Sequence, residues 1–306
     1  LNLERQAEML ANRVRKSFRK LRPGFARRRI GAFRLYDRDI PEIRAVIDWY
    51  EGHLVAAEYA RRQTEALPWL ETMARAVAQA LEVPWEKVHL KRRQTRPAAG
   101  ARYPRLAREG ELMPVSEGDL QFLVNLDDYI DTGLFPDHRE TRARVRAEAN
   151  GAAFLNLFAY TGSFTCAAAL GGALSTTSVD ASRAYLDWAA ENLELNRLEG
   201  PQHELVRASV DDFLARAGAR RWRLCVLDPP SFSDHGGKSF EVQRDHRDLI
   251  ERTLAVLEPG GVLWFSTNHQ RFEPRLDGLR AEDLTARTVP EDYRNRAAHR
   301  SFRILK

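Results

Sequence analysis

Residues 154–163 read Phe154-Leu155-Asn156-Leu157-Phe158-Ala159-Tyr160-Thr161-Gly162-Ser163. Apolar side chains crowd the first half, the pattern of a strand buried on both faces of a parallel sheet. Thr161-Gly162 marks a turn, and the alanine-rich run from Phe164 to Leu170 reads as a helix. Strand, tight glycine turn and helix open a nucleotide-binding βαβ unit. Glycine lets the backbone approach a ligand, and the helix start offers unpaired N–H groups. A single glycine after a strand is common, so the sequel decides. Thr176 to Val179 reads as a second strand ending on Asp180, and Trp222 to Leu227 as a fourth ending in Asp228-Pro229-Pro230-Ser231-Phe232. An acid after strand two and Asp-Pro-Pro-x-Phe after strand four, in that order, form a specific combination. The expected fold is α/β with a mostly parallel sheet.

The remaining α/β elements follow outward. Asp131 to Arg139 is a turn feeding a helix that Asp137 would cap. Ser182 caps a helix running to about Asn196, with Leu186, Ala189 and Leu193 as its buried stripe. Leu205-Val206 gives a third strand. Glu241 to Leu257 is a helix, Glu258-Pro259-Gly260-Gly261 a stop, and Val262 to Phe265 a fifth strand. Asp283 to Val289 and Arg300 to Leu305 supply two more.

Ahead of this part the pattern changes. Leu3, Ala7, Leu10, Val14, Phe18 and Leu21 fall on one helical stripe, Arg13, Arg15, Lys16, Arg19 and Lys20 lie largely off it, and Pro23-Gly24 stops the helix. Residues 31–125 look like a small α+β unit. It has strands at Ala32–Tyr36, Ala45–Tyr50 and Leu54–Tyr59, a helix from Leu67 to Leu81, a short strand at Val88–Leu90, and a hairpin of Leu112–Val115 with Gln121–Asn125. The expected divisions are a basic helix or linker over 1–30, a small α+β domain over 31–126, and the α/β domain over 127–306.

Charge is concentrated at one end. Residues 1–34 carry eleven Lys/Arg against two Asp/Glu, a net +9, so residues 35–306 sum to −4 within a chain of net +5. Two readings fit the helix face of Arg13, Lys16, Arg19 and Lys20: an attractor for a phosphate backbone, or a solvated face or linker. The loop carrying Lys91, Arg92, Arg93, Arg96, Arg102, Arg105 and Arg108 with Tyr103 among them divides the same way. Basic side chains around an aromatic suit single-stranded RNA, and an ordinary solvated loop has the same composition. Apolar residues make up 43% and charged residues 30% of the 306, as expected of a globular chain with an ample core. No apolar run reaches the roughly 18 residues of a membrane span, and no signal peptide precedes the first charges. Cys166 and Cys225 are the only cysteines, and no Cys/His cluster suggests a metal. A reduced, cytoplasmic setting is expected. The chain begins at Leu1 rather than methionine, which suggests a piece of something longer.

Asp180, at the tip of strand two, is placed to accept both ribose hydroxyls of an adenosine. Dinucleotide enzymes share that acid, but they want G-x-G-x-x-G to admit a pyrophosphate. Tyr160-Thr161-Gly162-Ser163 has one glycine behind a bulky ring. An adenosine without phosphates, such as S-adenosylmethionine, fits better. Pro229 and Pro230 stiffen a loop at the carboxyl end of the sheet, where ligands of open α/β folds bind. Asp228 there would accept hydrogen bonds from a base edge and Phe232 would stack on its face. Arg244 in Gln243-Arg244-Asp245-His246 either grips an RNA phosphate or makes a surface pair.

On these residues the chain resembles the class I S-adenosylmethionine-dependent RNA methyltransferases. More closely, it resembles the C-terminal half of bifunctional 23S ribosomal RNA large-subunit methyltransferases, the half that makes 7-methylguanosine. The likeness runs nearly end to end. Its most specific stretches are Tyr129–Arg139, Leu155–Ser163, Val179–Ala189, Asp228–Phe232 and Val242–His246. It implies a Rossmann-like domain with a mostly parallel seven-stranded sheet and S-adenosyl-L-methionine as cofactor. By the same resemblance Phe158, Tyr160, Thr161 and Gly162 line the methionine side, Asp180 binds ribose, and Arg139 meets the cofactor's carboxylate with Asp137 orienting it. Asn156 and Ser182 join that set. Relatives carry an acid for the adenine amine where this chain has Ser209, with Asp211 two residues on. The implied partners are 23S ribosomal RNA or a large-subunit assembly intermediate, and an N-terminal methyltransferase half in a longer protein.

Cytosine-C5 enzymes of related type place Ser-Cys-Ser after strand five, and this chain has Ser266-Thr267-Asn268-His269. Guanine N7, a neutral lone pair, needs positioning rather than a base. Two other readings stay open at this stage: a nicotinamide-linked oxidoreductase, and a silent RNA-binding module on the same fold.

Overall fold

The computed structural model describes residues 2–59, 68–129, 131–235 and 238–306 except for 94–109. Two compact units divide the chain: Leu1–Pro136 with Glu291–Arg294, and Asp137–Pro290 with Asn295–Lys306.

The first unit opens with helix α1 (Leu3–Arg27), whose start is capped by Asn2. Strands β1 (Ala32–Asp37), β2 (Ala45–Tyr50) and β3 (His53–Tyr59) run antiparallel, and β4 (Val88–Arg93) lies parallel to β3 at the edge of the four-stranded sheet. The crossover that a parallel pair requires contains helix α2 (Trp69–Leu81). Strands β5 (Met113–Glu117) and β6 (Leu120–Val124) form the expected hairpin. The apolar stripe of α1 is core: Ala7, Leu10, Val14, Leu21 and Phe25 pack with Trp69, Met73 and Val77 of α2 and with Phe33, Ile47 and Leu54 of the sheet. The basic helix is therefore an integral layer of this unit.

Pro23 does not stop α1. It lies exposed within the helix, and buried Phe25 anchors a further turn to Arg27. Burial of one aromatic side chain, on the order of 2–3 kcal/mol, offsets most of the proline's cost of about 3 kcal/mol. Residues 291–294 also belong here: the Asp292 carboxylate accepts from the Arg34 N–H at 2.9 Å, and the Arg34 guanidinium lies 4.6 Å from the centre of the Tyr293 ring.

The second unit is a seven-stranded sheet flanked by helices. After helix α3 (Arg139–Glu148) come β7 (Ala153–Leu157), α4 (Ser163–Leu170), β8 (Ser175–Asp180), α5 (Arg183–Leu195), β9 (His203–Arg207), α6 (Val210–Arg216) and β10 (Trp222–Leu227). A short hairpin of β11 (Phe232–His235) and β12 (Lys238–Glu241) leads to α7 (Val242–Ala255) and β13 (Leu257–Thr267). Strand β14 (Arg280–Asp283), the helical turn α8 (Thr285–Thr288) and β15 (Arg300–Leu305) complete the unit. The sheet order is β14-β15-β13-β10-β7-β8-β9. Strands β7, β8, β9, β10 and β13 are parallel, and β15 runs antiparallel to both β13 and β14. Apolar residues of the central strands alternate between two cores. Leu155, Leu157, Cys225, Leu227, Leu263 and Phe265 pack under α6 and α7; Phe154, Leu224, Val226 and Trp264 pack under α3 and α4. Two-sided burial is what makes these strands continuous apolar runs.

Two expectations about the later strands change. Glu258-Pro259-Gly260-Gly261 is no stop but an irregularity inside β13: Trp222 pairs with Leu257 and Leu224 already with Val262. Residues 283–289 are not a strand, because Asp283 accepts from the Thr285 N–H at 2.9 Å and starts the turn α8, leaving the strand just upstream.

Candidate active site

The chain order reverses direction across the sheet between β7 and β10, so the crevice at their carboxyl ends is the expected ligand site of an open α/β sheet. Loops from β7, β8, β10 and β13 meet there.

The β7 loop is strained. Phe158, Tyr160 and Gly162 all have positive φ, at 59°, 51° and 75°. For the two aromatic residues such a backbone costs on the order of 1–3 kcal/mol each and persists only where the surroundings impose it. At Tyr160 they do so through Asp180. Its Oδ2 accepts from the Tyr160 N–H at 3.0 Å and its Oδ1 from the Ser182 N–H at 2.8 Å, which fixes the plane of the carboxylate. Gly162 is required twice over: by its φ, and because a Cβ there would lie 2.8 Å from the Cβ of Ala189 on α5. Thr161 is buried, and its carbonyl accepts from Asn192 Nδ2 at 2.8 Å. The Tyr160 ring stands edge-on to Tyr185 at 4.7 Å. Gly162, as N-cap of α4, has no side chain to cap the helix start. An uncapped helix start beside a rigidly held carboxylate at the tip of β8 is a donor and acceptor set that fits an adenosine with a charged tail.

Other residues expected at the cofactor face inward or cap helices. Asn156 is buried, and its amide donates to Thr165 Oγ1 at 3.0 Å, which in turn meets Ser178 Oγ at 2.6 Å. It belongs to the wall between strand and helix, because its position in β7 points at α4. Ser182 caps α5, accepting from the Tyr185 N–H at 3.4 Å. Ser209 caps α6, accepting from the Asp212 N–H at 3.0 Å while its hydroxyl donates to Asp212 Oδ2 at 2.8 Å.

On the other side of the crevice Asp228 follows β10. Its Oδ1 accepts from Ser266 Oγ of β13 at 2.7 Å, and its Oδ2 lies 3.7 Å from His138 Nε2. Pro229 and Pro230 are buried, whereas Phe232 is 57% exposed, with its ring edge-on to His269 at 5.7 Å. Ser231 Oγ donates to Asn268 Oδ1 at 3.1 Å, tying the β10 and β13 loops together. Both cysteines are fully buried. Burial pushes the Cys166 thiol up to about 12 and the Cys225 thiol well above its ordinary value, so neither is a thiolate at neutral pH.

A histidine pair that sequence spacing does not flag lies behind Asp228. The N-cap of α3 falls on His138 rather than Asp137, and Asp137 accepts instead from His299 Nδ1 at 3.1 Å. The other His299 nitrogen meets Thr288 Oγ1 at 3.0 Å, and the His138 and His299 rings stack at 4.4 Å and 15°. Asp137, His138 and His299 thus bring three potential metal ligands within 4.8 Å of one another. Their geometry does not converge on an ion, because lone pairs in the planes of two stacked rings point past each other and both His299 nitrogens are engaged. Arg139 is buried beside them. His138 sits between Asp137 and Arg139 in the chain, but its ring partner is 161 positions away and leaves no local signal.

Of the basic residues expected to meet RNA, Lys16, Arg19 and Lys20 are exposed on α1 and make no ion pair among the described residues. Arg13 pairs with half-buried Asp39 at 2.7 Å and Arg92 with buried Glu58 at 3.0 Å, so both hold their own unit together. Arg93 ends β4, and Arg96 and Tyr103 lie outside the described residues. Arg244 takes the surface-pair alternative: it is bound to both oxygens of Asp245 at 2.8 Å and to the Ser239 carbonyl at 2.7 Å. His246 is fully buried and hydrogen-bonded at both nitrogens, to the Val242 carbonyl and the Arg275 N–H.

The chain is similar to known proteins in sequence and in fold. A family model of S-adenosylmethionine-dependent methyltransferases matches residues 30–294. The ribosomal RNA large subunit methyltransferase K/L of Allochromatium vinosum is 45% identical over 315 residues, covering 97% of this chain and 42% of that protein. The chain therefore spans less than half the length of that relative. The ribosomal RNA large subunit methyltransferase K of Neisseria meningitidis serogroup B is 42% identical over 307 residues, covering 96% of this chain and 86% of that one. In fold, the crystal structure of SMU.776 complexed with SAH matches with a TM-score of 0.82 at 24% identity, over all of this chain and 82% of the other. Sheet order, the Asp180-braced turn and these likenesses agree: the chain belongs to the S-adenosylmethionine-dependent methyltransferases.

Proposed function

We propose that the chain methylates a base of 23S ribosomal RNA, and that the atom methylated is guanine N7. The observation that carries this reading is the β10 loop. An exposed Phe232, four residues after Asp228 whose Oδ1 is held by Ser266, forms with it a place for a flat base with polar edges, and both cysteines of the chain are buried. S-adenosylmethionine supplies an electrophilic methyl group. Asp180 accepts from the ribose hydroxyls, Phe158, Tyr160, Thr161 and Gly162 line the methionine side, and Arg139 with Asp137 serves the carboxylate. Asp228 accepts from an N–H on the base edge while Phe232 stacks on its face. Guanine N7 is an acceptor lone pair that loses no proton on methylation. The residues therefore only hold it in line with the methyl group, and such positioning is worth roughly 7–11 kcal/mol.

A cytosine-C5 reaction would need a thiolate at the base, and Ser266-Thr267-Asn268-His269 offers none. The ribosomal RNA substrate follows the names of the relatives from Allochromatium and Neisseria. Lys16, Arg19 and Lys20, with the basic segment around Arg93, Arg96 and Tyr103, serve the RNA backbone in this reading. A second methyltransferase half, as the greater length of the Allochromatium relative would accommodate, and work in the cytoplasm belong to the same proposal. No helix among the described residues is long and apolar enough to cross a membrane.

The test is tritiated methyl transfer from S-adenosylmethionine to unmodified 23S ribosomal RNA. Wild-type chain should label it, and folded Asp228→Ala should bind cofactor normally yet transfer poorly. Cofactor binding without transfer to any ribosomal RNA by the wild type would leave only a silent module.

A further inference from the structure

We propose that His138 is the positioning residue of the reacting loop: its Nε2–H directs the Asp228 oxygen that Ser266 leaves unfixed. The inference rests on Asp228 meeting the base, and extends that reading to a residue outside the cofactor and base contacts.

Asp228 is held from one side only. Ser266 Oγ donates to Oδ1 at 2.7 Å, while Oδ2 faces His138 Nε2 at 3.7 Å. That separation is too long for a formed hydrogen bond and short enough to close by a small rotation of the carboxylate. Hydrogen bonds that orient reacting groups are commonly long before substrate binds and tighten in the complex.

The ring itself cannot swing. His138 is 4% exposed, stacked on His299 at 4.4 Å and edge-on to Phe164 at 5.7 Å. His299 is pinned at both nitrogens, by Asp137 at 3.1 Å and Thr288 at 3.0 Å. One side chain in the crevice wall is thus placed by four elements: the start of α3, the helix α4, the turn α8 and the segment leading into β15.

The His138 nitrogens differ. Nδ1 is buried with no hydrogen-bond partner among the described residues, whereas Nε2 faces two carboxylates, Asp228 at 3.7 Å and Asp137 at 3.9 Å. A neutral ring in that setting carries its proton on Nε2, where the acceptors are. An unpartnered buried nitrogen is costly, and a phenyl ring would stack as well without it. Packing alone does not explain a histidine here; donation to Asp228 does.

The charged and titratable groups facing the ring are Asp228, Asp137, His299 and Arg142. Burial holds the His138 pKa below its ordinary 6.5 against the two carboxylates, which raise it, while His299 and Arg142 lower it further. The ring is therefore neutral at neutral pH. Protonation in acid would convert a directing donor into an ion-pair partner that draws Oδ2 toward the ring and away from the base.

Two measurements test this. Imidazole NMR on histidine-labelled wild-type chain and on Asp228→Asn reads the pairing without any RNA. The His138 resonance should titrate below 6.5 in the wild type and lower still in the variant, because a carboxylate that favours the charged ring has been removed. An unchanged His138 titration would overturn the proposal. Kinetics on His138→Phe, which keeps the stack, and His138→Gln, which restores an N–H donor, read the consequence. The Phe variant should lose about 10–100-fold in kcat, the scale of a misplaced reacting group, with cofactor affinity unchanged. The Gln variant should recover most of that rate and lose the acid limb of the pH profile. Wild-type kcat in both, or equal loss in both, would overturn it. Should either variant fail to fold, the NMR comparison decides alone. If the methylated base proves not to be guanine, the proposed function fails while the NMR result still stands or falls by itself.

Discussion

Asp180→Ala probes the cofactor side with two separable consequences. The carboxylate accepts from the Tyr160 and Ser182 N–H groups at 3.0 and 2.8 Å, so removing it releases the strained turn as well as any ribose. Hydrogen bonds to a charged group are worth about 1.5–3 kcal/mol each. Loss of one such bond to ribose alone raises the dissociation constant at least about tenfold, since ~1.4 kcal/mol is a factor of ten. Release of the turn adds to that, because the Asp180 carboxylate accepts from the N–H of Tyr160, a non-glycine residue held at φ 51°. The residue is half-buried, so the stability cost sits at the low end, about 1–2 kcal/mol, or a few degrees in Tm. Asp180→Asn separates the two effects: its single oxygen can serve one N–H while its amide opposes the other, and it should fall between wild type and Ala. Titration calorimetry with S-adenosylmethionine, alongside thermal unfolding, measures both. A folded Ala variant with undiminished affinity would refute the assignment of Asp180 to the cofactor.

Replacing Lys16, Arg19 and Lys20 with glutamine should weaken RNA binding and leave cofactor affinity intact, lowering the salt slope by about 0.7 for each single-strand phosphate no longer neutralised; an unchanged slope would make the helix a solvated face. Removing both thiols, as Cys166→Ala with Cys225→Ala, should cost only packing and leave methyl transfer in place, whereas abolished transfer in a folded variant would point to a covalent mechanism. Acid should destabilise the fold. Burial holds the His246 pKa below the ordinary 6.5, so the unfolded chain takes up a proton that the native state refuses. Stability is therefore full above pH 6.5 and falls as pH drops through it, by at most about 1.4 kcal/mol per pH unit from this group, with His138 and His203 acting in the same sense. Thermal unfolding between pH 7.5 and 5 measures this, and a flat Tm would contradict it.

What is legible in the sequence is what local chemistry dictates. The double-sided strands, the Gly162 turn, the Ser182 cap and the Asp228 loop can be placed because each is encoded within about ten residues. The failures are tertiary. Pro23 sits inside a helix because Phe25, two residues on, is buried, and Pro259-Gly260-Gly261 sits inside β13 because its neighbour β10 sets the register. Arg13 reads as a free cation until Asp39 comes to face it across 26 positions. Asn156 reads as a ligand contact because it sits in the motif, yet strand alternation turns it toward Thr165. The His138–His299 stack is the least visible of all, since nothing at either position announces the other.

The central claim is the identity of the methylated atom, and nucleoside analysis of the product tests it most directly. Unmodified 23S ribosomal RNA, treated with the chain and S-adenosylmethionine and then digested, should yield 7-methylguanosine. The positively charged base should also make the RNA cleave at one position after mild reduction and aniline. Recovery of 5-methylcytidine, or of a methylated guanine that resists aniline cleavage, would contradict the account.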